Sequence, residues 1–320
     1  MTTPNIFTRL SLIAAAAICL LSISPARAQS NRTWVAPSGD DNNPGTNAKP
    51  CKTFAGALAK TNAGGEIVVK ESGGFGRVTI NKSITIDGGG KYAGIQVSGN
   101  GNSAVAGVKI QAGNNDVIVL RGLTIKGLDF GTDGVDDESA GVLHVENCAI
   151  SGVSGLGIFF VEPGTLFVQD TVISECALGA IHIINGGSIL IERSRLKNNG
   201  QGISSGEGAQ VTVRSTVASG NAKSGFETNW GTLNLENCVA SNNGSGVVAD
   251  QVPLGDGIHP GPAIVVISNS VVTNNLVGLL QTCCAGGFSD QIVVMYSRGN
   301  NTVTGNGTDI SGTITPLGGS

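Results

Sequence analysis

Five hexapeptides decide the fold: Leu-His-Val-Glu-Asn-Cys (143–148), Leu-Phe-Val-Gln-Asp-Thr (166–171), Ile-Leu-Ile-Glu-Arg-Ser (189–194), Val-Thr-Val-Arg-Ser-Thr (211–216) and Leu-Asn-Leu-Glu-Asn-Cys (233–238). They start 23, 23, 22 and 22 residues apart, and the series extends back to Ile118 and forward to Val265 and Ile292. The columns are chemically uniform. The first position is always Ile, Leu or Val, and so is the position two later, from Leu120 through Val145, Val168, Ile191, Val213, Leu235 and Ile267 to Val294. Five after the start stands a small residue (Cys148, Thr171, Ser194, Thr216, Cys238, Ser270), and seven after an aliphatic one, until the pattern decays at Gly299. An Asn/Gly turn follows, and then a short strand beginning Gly157-Ile158, Gly202-Ile203, Gly225-Phe226, Gly246-Val247 or Gly278-Leu279. Three period-2 strands per repeat describe one coil of a three-sided solenoid. One coil cannot bury its own apolar positions; stacking does so, placing like over like at about 4.8 Å. A β-sandwich of short strands predicts neither the fixed period nor the column identity.

Composition agrees. The chain has 49 Gly among 320 residues, 4% aromatics and 13% charged residues, without the Gly-X-Y period of collagen. Such usage points to short strands and tight turns. One amphipathic helix is expected over 53–61, with Thr53 as N-cap. At the N-terminus, Arg9, the apolar run 10–23 and Ala26-Arg27-Ala28 have the order of a signal peptide cleaved after Ala28. That run is too short and too poorly flanked for a membrane span, so no membrane insertion of the mature chain is expected. Loss of two arginines takes the formal charge from −4 to −6, which argues against nucleic acid as a partner. The six remaining cysteines have no zinc-site spacing, and Cys283 and Cys284 are adjacent, a poor geometry for pairing with each other.

The segment Trp34-Val35-Ala36-Pro37-Ser38-Gly39-Asp40-Asp41, with Pro50-Cys51-Lys52-Thr53-Phe54 and Ala57-Leu58, resembles the N-terminus of secreted bacterial right-handed parallel β-helix repeat proteins. Gly73-Gly74-Phe75-Gly76, Val78-Thr79-Ile80, Ile84-Thr85-Ile86 and the coils extend the resemblance over almost the whole mature chain. It implies an all-β, single-stranded right-handed parallel β-helix of the pectate-lyase-like superfamily, with three short strands per coil and a short capping helix. It also implies a periplasmic or extracellular location. The superfamily holds lyases, hydrolases, epimerases and non-enzymatic surface proteins; this close group has no assigned reaction. Many members carry a second Cys just upstream of Cys51, a region where this chain has Gly45. The expected organisation is signal peptide 1–28, N-terminal segment and capping helix 29–66, β-helix 67–300, and C-terminal cap or tail 301–320.

Fold does not give function, so the exposed columns carry the candidates. Three after each repeat start run Arg121, Glu146, Gln169, Glu192, Arg214 and Glu236. Glu146 and Glu192, two coils and roughly 9–10 Å apart, lie near the upper end of the carboxylate separation of inverting glycosidases. The alternative is an exposed charge ladder with Glu192 paired to Arg214. On the third strand, Asp136, Phe159, His182, Ser204 and Glu227 face outward, which makes His182 and Glu227 candidates for proton transfer in a sugar groove or merely surface residues. The two longest repeats insert chain after this strand, at 250–262 and 282–290, where loops on a rigid scaffold place recognition. Asp133, Asp136, Asp137 and Glu138 form a candidate calcium site or a solvated acidic turn. His144 and His259 are isolated, and Cys148 and Cys238 share an inward column as small core residues.

Against catalysis stand the missing Asn-Thr-Asp, Gly-His-Gly and Arg-Ile-Lys signatures of polygalacturonase-like relatives, and few aromatics for stacking sugars. The expected function is non-catalytic binding or organisation of an envelope or extracellular polysaccharide or protein. The alternative is a polysaccharide lyase, glycoside hydrolase or C5-epimerase with a divergent site.

Overall fold

The computed structural model describes residues 29–99, 105–129, 132–139, 141–251, 261–283 and 292–318. Residues 1–28, where the signal peptide is expected, His259, Cys284 and most of both insertions lie outside the described residues. Among the described residues no helix is long and apolar enough to cross a membrane.

Apolar residues at alternate positions fold inward, and every strand pairs in parallel with its counterpart one coil away. The first sheet has twelve strands, from Ser30–Val35 to Ile314–Pro316, and the second and third have ten each. The repeat columns are the pairing register: Leu143 faces Leu166 and Val145 faces Val168 on the first sheet. Ile150 faces Ile173 on the second, and Ile158 faces Ile181 on the third. These residues form one continuous buried core. Its interior is narrow, and the small column fits it with a hydrogen-bond ladder. Thr171, Ser194 and Thr216 each donate to the carbonyl two residues back and accept the N–H of the preceding coil's equivalent residue. Cys148 and Cys238 replace the hydroxyl with a thiol that points to the same carbonyl, at 3.3 and 3.4 Å. Burial pushes both thiols up to about 11, so they pack as small core groups and stay protonated.

The turn after the second sheet carries a buried asparagine column, Asn199, Asn221, Asn243 and Asn275. From Asn221 onward each side-chain carbonyl accepts both the backbone and the side-chain N–H of the previous member, as Asn221 does from Asn199 at 3.0 and 3.1 Å, while Asn199 accepts the Cys176 N–H. The turn after the first sheet needs a left-handed residue, supplied without glycine by Asn147, Asp170, Arg193, Ser215, Asn237 and Asn269.

The helix is shorter than expected, Phe54–Leu58, because Thr61 already begins a strand; Thr53 caps it by accepting the Gly56 N–H. Phe54, Ala57 and Leu58 close the N-terminal end of the core, with Phe54 against Phe75. Cys51 is buried and free, and a Cβ added to Gly45 would stand 3.3 Å from its sulfur. Gly45 therefore occupies the place from which a second cysteine would reach it.

Two further features differ from the sequence reading. Parallel pairing extends beyond 67–300 on both sides, because Ser30–Val35 pairs with Thr61–Val69 and Ile314–Pro316 with Val293–Ser297. The last expected repeat start is also out of phase. Val265 pairs with Met295 and Ala263 with Val293, while Ile292 is 57% exposed. The run Ile292-Val293-Val294-Met295 is apolar at every position, so it does not reveal its own phase. A shift by an odd number of residues exchanges the faces.

Candidate functional site

The outward charges of the first sheet follow directly from its register, which stacks Asp87, Arg121, Glu146, Gln169, Glu192, Arg214 and Glu236. Glu146 meets Arg121 at 2.8 Å through one oxygen and His144 at 3.6 Å through the other. Glu192 lies 3.5 Å from Arg193 and 3.6 Å from Arg214, again one per oxygen. The two candidate carboxylates thus belong to a charge ladder, and Gln169 separates them. His144 is not isolated: it stacks on Phe167 of the next coil, centroids 4.6 Å apart. Both occupy the same outward column, a signal that a search for charged residues passes over. A polar cleft of about 390 Å³ on this face includes Thr212, Arg214, Asn234, Glu236 and Arg298.

The third sheet orders Lys109, Asp136, Phe159, His182, Ser204, Glu227, Val248 and Leu280 in one outward column. The His182 ring lies 6.1 Å from that of Phe159, and burial pushes its pKa down, which disfavours the charged imidazolium. Glu227 accepts from Gln201 Nε2 at 2.8 Å and Ser224 Oγ at 2.6 Å. Ser204 stands between His182 and Glu227 in the register, so the two do not form a proton-transfer dyad.

The four acidic residues do not converge. Strand alternation sends Asp137 inward, into the column of Ile110 and Phe160, where Ser139 donates to it through N–H and hydroxyl. Asp136 faces out, 3.8 Å from Lys109. Glu138 takes Lys109 at 3.0 Å and Gln111 at 2.9 Å, and Asp133 accepts the Leu156 N–H. Four carboxylates in six residues can be read as one calcium ligand set or as a solvated acidic turn; the strand distributes them to both faces. Among the described residues no three His, Cys, Asp or Glu side chains gather to hold a metal.

What charged-residue reasoning missed is a cleft of about 480 Å³ further along the third sheet. Val248, Leu276 and Leu280 give it apolar walls, and Lys223, Glu227 and Asp250 stand around them. Leu276 is 75% exposed, and Asp250 accepts the Thr282 hydroxyl at 2.6 Å. The sequence signal was the doublets Val247-Val248 and Leu279-Leu280, whose second members put an aliphatic side chain where alternation calls for a polar one.

The fold and these faces define a three-sided parallel β-solenoid that presents outward ladders of side chains. The chain belongs to the right-handed β-helix family, whose model, "Right handed beta helix region", matches residues 106–307. Among solved structures it is similar to pectate lyase Pel9A, with a TM-score of 0.62 and 17% identity over 89% of this chain and 80% of that one. It is also similar to a rhamnogalacturonan lyase, with a TM-score of 0.52 and 14% identity over 88% of each chain. At these identities the likeness is one of fold. No curated protein matches the sequence.

Proposed function

We propose that this chain is an exported β-helix that binds an envelope or extracellular polysaccharide without cleaving it, in the groove along the third sheet. Export rests on Arg9, the apolar run and Ala26-Arg27-Ala28. The observation that carries binding is the third-sheet cleft: apolar walls from Val248, Leu276 and Leu280 beside polar Glu227, Asp250 and Thr282 match the apolar face and hydroxyl rim of a sugar. The column continues from it through Ser204 and His182 to Phe159, a track along the solenoid axis. Polysaccharides are also the namesakes of the two lyases whose fold it shares.

One observation favours the enzymatic reading, a lyase, hydrolase or epimerase. Asp136, pushed up to about 6, is a carboxyl able to hold a proton in mildly acidic solution, one coil beyond Phe159. Incubation of the mature protein with a panel of neutral and uronate polysaccharides, with and without calcium, separates the two. Retention of a polysaccharide with no new chain ends is the expected result. Cleavage or new unsaturated ends, lost in His182→Ala or Asp136→Asn, overturns it.

A further inference from the structure

Resting on that reading, we infer that the third-sheet groove takes an uncharged glycan, built of hexoses or N-acylated hexosamines, and discriminates against polyuronates. The argument is charge complementarity. Carboxylates recur along the groove at Asp136, Glu227 and Asp250. Its described strands contain no arginine, and their single lysine, Lys109, already serves Glu138 and Asp136. Burial lowers the His182 pKa, which disfavours its cationic form, and Lys223 is the single cation among the described residues that line the cleft.

A polyuronate carries one carboxylate per sugar. In the groove those charges would lie beside Glu227 and Asp250, where like charges repel. An uncharged sugar meets no such repulsion there. Its hydroxyls or amide N–H can donate to the Glu227 and Asp250 oxygens, and its apolar face or N-acyl methyl can cover Leu276, Leu280 and Val248. The arginines needed for paired recognition of a carboxylate stand instead on the first sheet, as Arg121 and Arg214.

Calorimetric titration of the mature protein at low ionic strength, against N-acetylglucosamine oligomers, a soluble β-glucan and polygalacturonate, tests this. The best neutral glycan should bind at least roughly tenfold tighter than polygalacturonate. The ratio should shrink with added salt, which screens the repulsion, and in a Glu227→Gln/Asp250→Asn variant. Leu276→Asp, at a site too exposed to threaten folding, should weaken the neutral glycan by about tenfold or more, the loss of an apolar contact in the cleft. Polygalacturonate bound as tightly as the neutral glycans overturns the inference and leaves the binding function standing. Neutral binding indifferent to Leu276→Asp overturns the placement in this groove. No binding of any glycan overturns both readings.

Discussion

Asp136 sits on the outward column of the third sheet with its Oδ1 buried and without a hydrogen-bond partner. Burial, then Glu138, with Asp133 and Asp137 adding and Lys109 opposing, pushes its pKa up to about 6. A carboxyl raised on folding binds its proton more tightly in the native state. Its favourable contribution is therefore complete below the unfolded value of 3.8 and is lost as pH rises through about 6. Asp136→Asn should accordingly be more stable than the parent at neutral pH, by no more than about 3 kcal/mol at ~1.4 kcal/mol per unit. The two proteins should converge near about pH 4. Urea unfolding at both pH values checks this, and an equal gap at each would refute it. The outward direction of Asp136 was readable from strand alternation; the burial that raises its pKa was not, because it depends on how the neighbouring coils pack around it.

The elements are ladders, and their members differ sharply in what they contribute. Asn221 donates to Leu196 O and to Asn243 Oδ1, and accepts twice from Asn199, all in the buried interior of a turn. Asn221→Leu strands both Asn199 donors, with an expected loss of about 3 kcal/mol. Arg214 is half exposed and lies 3.6 Å from both Glu192 and Glu236, so Arg214→Ala should change stability by less than about 1 kcal/mol. Urea midpoints of the two variants compare them directly; equal losses would mean that the surface ladder supports the coil as much as the interior one. The strand columns were legible because inward residues repeat at fixed offsets from Leu143 to Val265. The asparagines were legible as turn residues able to form side-chain ladders, and the structure forms that ladder; which N–H meets which oxygen was not legible. At 292–295 the reading failed where four apolar residues in a row erased the alternation.

At the scale of the whole molecule, each coil contacts its neighbours alone, so the solenoid is a scaffold whose outer columns vary without disturbing the core. That is why the fold could be read nearly end to end while the site could not. Glu146 and Glu192 stood out by residue type, yet each is engaged on both oxygens by cationic or histidine neighbours. The third-sheet cleft arises from Leu276, Leu280 and Val248, residues that look like core until their strands are aligned. The account's central claim is that polysaccharide occupies this face. Hydroxyl-radical footprinting of the mature protein with and without a saturating neutral polysaccharide tests it most directly. The result expected is reduced oxidation of Leu276, Leu280 and Phe159, with Phe167 and Leu190 of the first sheet unchanged. Protection of Phe167 and Leu190 while Leu276 stays as reactive as in the free protein would contradict it.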